Sequence, residues 1–157
     1  MNIKWLSILF CFCLLVSQSG ADNFTVRDFS DAAGLSSSWI ACILEDDKGF
    51  MWFGTYDGLN QFDGYRFKTF RNDPQDKKSI SGNAIYDLLN QSDGNIWVAS
   101  VAGLDQFNYA GNSFIHYTHP NPEEPAINNL TQTPSGEILV SNVHSILQVN
   151  QVDTTLS

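Results

Sequence analysis

Positive charge is scarce in this sequence: eight Lys and Arg stand against seventeen Asp and Glu over 157 residues, a formal net charge of −9. A nucleic-acid surface needs a clustered basic patch to displace counterions from phosphates, and no such cluster occurs. Cysteine is sparse as well. Of the three, Cys11 and Cys13 fall in an apolar leader, and the remaining Cys42 alone makes neither an internal disulfide nor a thiolate metal cluster. No G-x-S-x-G nucleophile elbow is present, and Glu45-Asp46-Asp47 does not complete a D-x-[DN]-x-[DN]-G calcium loop. What is present is 43% hydrophobic, 13% aromatic and 16% charged, the composition of a globular chain and not of a disordered one.

Residues 1–21 read as a secretory signal. Lys4 supplies the positive start, residues 5–16 (WLSILFCFCLLV) form a short apolar run, and Ser19-Gly20-Ala21 offers a small-residue cleavage pattern. The run falls short of the roughly 20 apolar residues that a membrane-spanning helix needs. Phe before each of Cys11 and Cys13 argues against lipid attachment, where a small residue is wanted. Cleavage would start the mature chain near Asp22, and no second run of spanning length follows.

The rest is organised by a repeat, the feature to look for before local structure. Gly49, Trp52, Gly58, Leu59, Gln61 and Phe62 recur 45 positions later as Gly94, Trp97, Gly103, Leu104, Gln106 and Phe107. A weaker third copy spans residues 127–149, where Gly136, Leu139, Ile146, Gln148 and Val149 follow at a spacing of 42. Each copy divides into short strands. In the first, residues 39–44 are apolar, Asp46-Asp47-Lys48-Gly49 turns the chain, residues 50–54 and 58–62 extend again, and Asp63-Gly64 makes a second hairpin turn. Residues 65–70 then alternate as a half-exposed outer strand does. Four strands in about 40–50 residues is the arithmetic of a β-propeller blade. The spacing predicts an all-β fold of four-stranded antiparallel blades: 39–70, 84–117 and a partial blade over 126–150. Trp52 and Trp97 are read as wedges between neighbouring blades.

Residues 23–29, followed by Gly34-Leu35-Ser36, read as an outermost strand leading into the next blade, as residues 65–70 lead into Ser79-Ile80-Ser81. One outer strand and two to three blades fall short of the roughly four that close a ring. The chain is therefore expected to be the front of a longer propeller, to bind its signal weakly by itself, and to self-associate through open blade edges.

Residues 49–74 (GFMWFGTYDGLNQFDGYRFKTFRNDP) and 94–107 (GNIWVASVAGLDQF) resemble two-component regulator propeller repeats. Those repeats carry I-W-[FV]-G-T, a turn, then G-L-[NS]-x-[YF]-[DN]. Trp52-Phe53-Gly54-Thr55 with Asp57-Gly58-Leu59-Asn60 matches closely, while the second copy departs at Ala99 and Ser100. The resemblance implies a periplasmic sensor. Members of the family continue through further blades, an immunoglobulin-like domain and one transmembrane helix to a cytoplasmic output, commonly a histidine kinase and sometimes a diguanylate cyclase. Several relatives sense oligosaccharides. No kinase phosphoacceptor context or glycine-rich nucleotide lid occurs in this chain, so no enzyme activity of its own and no cofactor are expected.

Two rival readings stand beside this one. A sialidase-like enzyme would need Asp-box turns, which Asp47-Lys48-Gly49 only approximates, and an arginine cluster that Arg27, Arg66 and Arg71 do not form. A structural or interaction propeller is the other. His116 and His119 could suggest a metal pair, but residues three apart on a strand face opposite ways, so both are expected to face solvent at a strand end. The carboxylates at 45–47 are expected to form a solvated turn, His144 to be structural, and Cys42 to be a small core residue. The polar connection at 71–79 and its counterpart at 118–125 have room for recognition. Trp39, Tyr56, Arg71 and Asn83 are the candidate ligand contacts, aromatic faces with amide and guanidinium donors that suit a sugar.

Overall fold

The computed structural model describes residues 34–117, 119–150 and 155–156; the leader at 1–21 and the expected outer strand at 23–29 lie outside the described residues. The described residues form β1 (Ile40–Glu45), β2 (Met51–Thr55), β3 (Gly58–Phe62), β4 (Phe67–Phe70), β5 (Ile85–Asn90), β6 (Ile96–Ser100), β7 (Gly103–Asn108), β8 (Ser113–Tyr117), β9 (Asn129–Gln132), β10 (Ile138–Ser141), β11 (Ile146–Asn150) and β12 (Thr155–Leu156). Consecutive strands pair antiparallel into three four-stranded sheets, β1–β4, β5–β8 and β9–β12. They are blades of a β-propeller whose ring these residues do not close.

The turns explain why the strands end where they do. Between the first two strands of each blade, a glycine amide donates to the carbonyl three residues back: Gly49 to Asp46, Gly94 to Gln91 and Gly136 to Thr133. All three glycines have φ between 81° and 93°, a region that side-chain-bearing residues avoid. The next turn is tied by a hydroxyl. Thr55 Oγ1 donates to the Gly58 carbonyl and accepts from the Asp57 amide; Ser100 does the same with Gly103 and Ala102. The departure at Ser100 therefore keeps the chemistry that the turn uses.

Two boundaries differ from the sequence expectation. The outer strand of the first blade begins at Phe67, not at residue 65, because Asp63 Oδ1 accepts the amides of both Tyr65 and Arg66 and prolongs the turn. Tyr65 is left 92% exposed. The third sheet also extends past residue 150, where β12 pairs with β11 through Val149↔Leu156 and Asn150↔Thr155.

Two apolar clusters hold the blades together. Trp52, fully buried, stacks on Phe70 at 5.9 Å and meets the edge of Phe107 at 5.0 Å. Leu59 completes the face that the first sheet turns towards Ile85, Leu88, Ile96, Val98 and Phe114 of the second. Trp97, Ala99, Leu104 and Tyr117 of the second sheet pack in turn on Ile138, Val140 and Val149 of the third, with Ile127 of the preceding connection. In the third sheet half-buried Leu139 holds the tryptophan position. The far face of the first sheet bears Ile43, Phe53, Phe62 and Phe67, at the register positions of Leu88, Val98, Phe107 and Phe114. The latter four are buried, whereas Ile43 is 57% exposed and the three phenylalanines are half-buried.

Candidate functional site

The turn after β2 and the strand entries beside it form one rim. Trp39 and Tyr56, 72% and 55% exposed, meet edge to face at 6.0 Å, and the Tyr56 amide donates to the Trp39 carbonyl. Tyr86 adds a third ring, 6.4 Å from Tyr56. It sits where the register of β5 against β6 slips between Ile85 and Asp87, an irregularity that re-aims a side chain and that sequence spacing does not announce. Arg71 lies alongside with its guanidinium engaged: Nη2 pairs with Asp57 Oδ2 at 2.9 Å and Nε donates to the Asp57 carbonyl at 3.1 Å. Asn83 has a tying role. Its Oδ1 accepts the Asn72 amide at 2.7 Å, and its carbonyl accepts the Gly58 amide. Of the four candidates, Trp39 and Tyr56 touch, Arg71 stands next to them through Asp57, and Asn83 braces the connection behind. Asp57 and Tyr86 were not singled out from the sequence.

A second polar cluster lies beneath the connection 71–79, beside an open cavity of about 400 Å³ lined by Asn72, Asp73, Asp76, Lys77, Ser81 and His116 among others. Asp105, fully buried, accepts from the Ser81 amide and hydroxyl and lies 2.6 Å from His116 Nδ1. His116 Nε2 lies 2.8 Å from the Lys77 carbonyl. The two-sided contact corrects the expectation that His116 simply faces solvent. His119 departs further: it is buried, with Nδ1 2.8 Å from the Asn121 carbonyl and 3.0 Å from the Asn121 amide, because the chain at residue 121 packs back on the ring. Ser81, Asp105 and His116 do not form a catalytic triad, in which serine and carboxylate occupy opposite imidazole nitrogens. Here both crowd Nδ1, and Nε2 is tied to backbone. No three His, Cys, Asp or Glu side chains among the described residues are grouped to hold a metal ion.

In the turn at 45–47, Glu45 and Asp47 are exposed as expected, but Asp46 departs from the expectation. Asp46 is 5% exposed. Its Oδ2 accepts the Trp52 indole N–H at 2.6 Å and the Tyr109 hydroxyl, while Oδ1 accepts the Lys48 and Phe50 amides. Burial pushes the Asp46 carboxyl up, but these four donors together outweigh it and hold it below the usual carboxylate range. The same burial and the Asp46 charge push the Tyr109 phenol up, and Lys48 Nζ stands 3.6 Å over its ring. In the second blade Gln91 Oε1 takes the Trp97 indole at 2.7 Å. An acceptor six residues before each tryptophan was thus a readable signal.

The sequence pattern described as two component regulator propeller matches residues 34–57 and 79–102, the entries and inner strands of the first two blades. These two stretches are similar to two-component regulator propeller repeats. A histidine kinase, P4, from Formosa agariphila is 45% identical over 74 residues, 47% of this chain and 5% of the kinase. The extracellular domain of a hybrid two component system from B. thetaiotaomicron superposes with a TM-score of 0.75 at 28% identity, over 86% of this chain and 20% of that domain. A streptogramin B lyase shares the propeller fold, with a TM-score of 0.59 at 19% identity over 78% of this chain and 41% of the lyase. This propeller chain thus spans less than half of each of these proteins, and the structures it resembles include the extracellular domain of a larger signalling protein. No helix among its described residues is long and apolar enough to cross a membrane.

Proposed function

We propose that this chain is part of the ligand-sensing propeller of an exported two-component signalling protein of the hybrid histidine kinase type, and that its signal is an oligosaccharide or another small extracellular molecule. The aromatic rim of exposed Trp39 and Tyr56 with half-buried Tyr86 carries the reading. Sugar rings present C–H faces that pack on aromatic rings, and Asp57 with Arg71 supplies an acceptor and donors beside them. The likeness to the extracellular domain of a hybrid system supports the sensing role, and the likeness to a histidine kinase supports a kinase output elsewhere in the full protein. Export through residues 1–21 to the periplasm belongs to the same proposal. So does the lack of a catalytic role, since Ser81 and Asp105 share one nitrogen of His116 and backbone meets the other, so the three form no relay from nucleophile through base to carboxylate.

A propeller ligand is contacted by loops from several blades, so this chain alone should bind weakly against the cost of lost translational and rotational freedom, roughly 4–15 kcal/mol. Calorimetry with a panel of oligosaccharides tests the proposal on the full extracellular region and on this chain. Trp39→Ala and Tyr56→Ala should each weaken binding by about 1 kcal/mol, close to fivefold in Kd. Unchanged affinity in both variants would remove the rim from the site. Cleaved glycan in the same samples would favour the enzymatic reading instead.

A further inference from the structure

We propose that His116 is a proton-dependent clamp on the connection 71–79, in which the imidazolium ties that loop to buried Asp105 and loss of the proton loosens it. The two blades supply the comparison. In the first, the equivalent positions are Ser36, Asn60 and Thr69, paired by the same register as Ser81, Asp105 and His116. Asn60 there accepts the Ser36 amide and the Thr69 hydroxyl and donates to Ser36 Oγ, a neutral arrangement indifferent to pH. The second blade replaces amide by carboxylate and hydroxyl by imidazole.

His116 then faces an acceptor on each side, Asp105 Oδ1 at Nδ1 and the Lys77 carbonyl at Nε2. Only the imidazolium has a hydrogen for both. A neutral ring turns a lone pair towards the loop carbonyl or, at Nδ1, towards the carboxylate at 2.6 Å; there it can accept the Ser81 hydroxyl, 2.8 Å away, only by taking that hydrogen from Asp105, so one tie is lost in every arrangement. The hydrogen bond to Asp105 accordingly raises the His116 pKa, against the opposing effect of burial. Around the same cavity Asp73 and Asp76 favour the charged ring and the Lys77 ammonium opposes it. The Phe114 amide also holds the loop, through the Lys78 carbonyl, and is independent of pH, so loosening centres on residues 73–77.

Because the closed loop binds the proton more tightly than the open one, the clamp is complete below the ordinary imidazole value of about 6.5 and is lost as pH rises through the raised value. Amide hydrogen exchange, corrected for intrinsic rates and mapped to residues 71–79 between pH 5.5 and 8.5, reads the opening without any ligand. It is therefore independent of the saccharide proposal. In the native protein the opening constant should rise by up to roughly tenfold per pH unit between about 6.5 and the raised value, and level off above it. The double variant Asp105→Asn/His116→Thr, which installs the neutral arrangement of the first blade, should give a flat profile. Matching profiles in the two proteins would overturn the clamp. If the double variant fails to fold, NMR titration of His116 in the native protein decides: a value above about 6.5 supports the clamp, and one at or below it refutes it.

Discussion

Asp46→Asn is the sharpest perturbation of the junction between the first two blades. The carboxylate offers two oxygens to four donors: the Trp52 indole and Tyr109 hydroxyl on one, the Lys48 and Phe50 amides on the other. Asparagine keeps one acceptor oxygen. If that oxygen serves the turn, the new NH2 group points at the indole, which can only donate; flipped, it confronts the two backbone amides instead. The Tyr109 hydroxyl can rotate and accept, so at least one buried donor goes unpaired. An unpaired buried donor costs about 1–3 kcal/mol, and the surviving bonds lose their charge assistance, which gives a total of about 2–4 kcal/mol. Urea unfolding followed by circular dichroism at pH 7 should show this loss. The acid side adds a second test. A carboxyl held below its unfolded value stabilises the fold above about pH 3.9, and that contribution is lost as pH falls through the folded value. The gap between wild type and variant should therefore close in acid. A gap below about 0.5 kcal/mol at pH 7, or one that does not change with pH, would refute the account of Asp46 as the acceptor for the wedge.

Gly54→Ala should destabilise by about 1–3 kcal/mol, because an added Cβ would stand 2.7 Å from Ile85 Cγ2 and press on Cys42 Sγ; a thermal melt checks this, and Cys42→Ala in the same background should recover part of the loss. Cys42 should resist iodoacetamide at pH 8 in the folded protein and react in urea, since burial, with the Asp87 charge added and the Gly54 backbone bond opposing, pushes its thiol up to about 12. Peptide mapping of the alkylated cysteine reads the result, and full labelling of Cys42 in the native state would contradict the burial.

Much of the fold was legible because glycine writes turns directly: Gly49, Gly94 and Gly136 sit at positive φ where the repeat spacing predicts reversals. The wedge tryptophans were legible for the same reason, as large apolar residues at a fixed phase. What escaped the sequence was chemistry decided across blades. Asp46 looks like any carboxylate on a polar turn until Tyr109, 63 residues away, closes over it. His116 was read by strand alternation alone, which locates its face but says nothing of the Lys77 carbonyl arriving from the preceding connection. β12 is two residues long, too short for any alternation to show. At the rim, Trp39 and Tyr56 were found as exposed aromatics, whereas Tyr86 depends on a bulge and Asp57 on the reach of Arg71.

The face-to-face packing of the blades has a consequence for how such a chain can change length. Each of the first two sheets offers an indole plug on one side, and the second receives such a plug in an aliphatic and phenylalanine socket. The first sheet carries the same kind of socket in Ile43, Phe53, Phe62 and Phe67. Blades built to one such grammar are interchangeable, with stability accruing junction by junction as in other nearest-neighbour arrays. Copying or deleting one unit of 42–45 residues adds or removes a junction without redesigning its neighbours, so blade number is open to change by duplication. Leu139 replaces the indole with a shallower plug, and an array under stress should come apart first on that side of the third sheet.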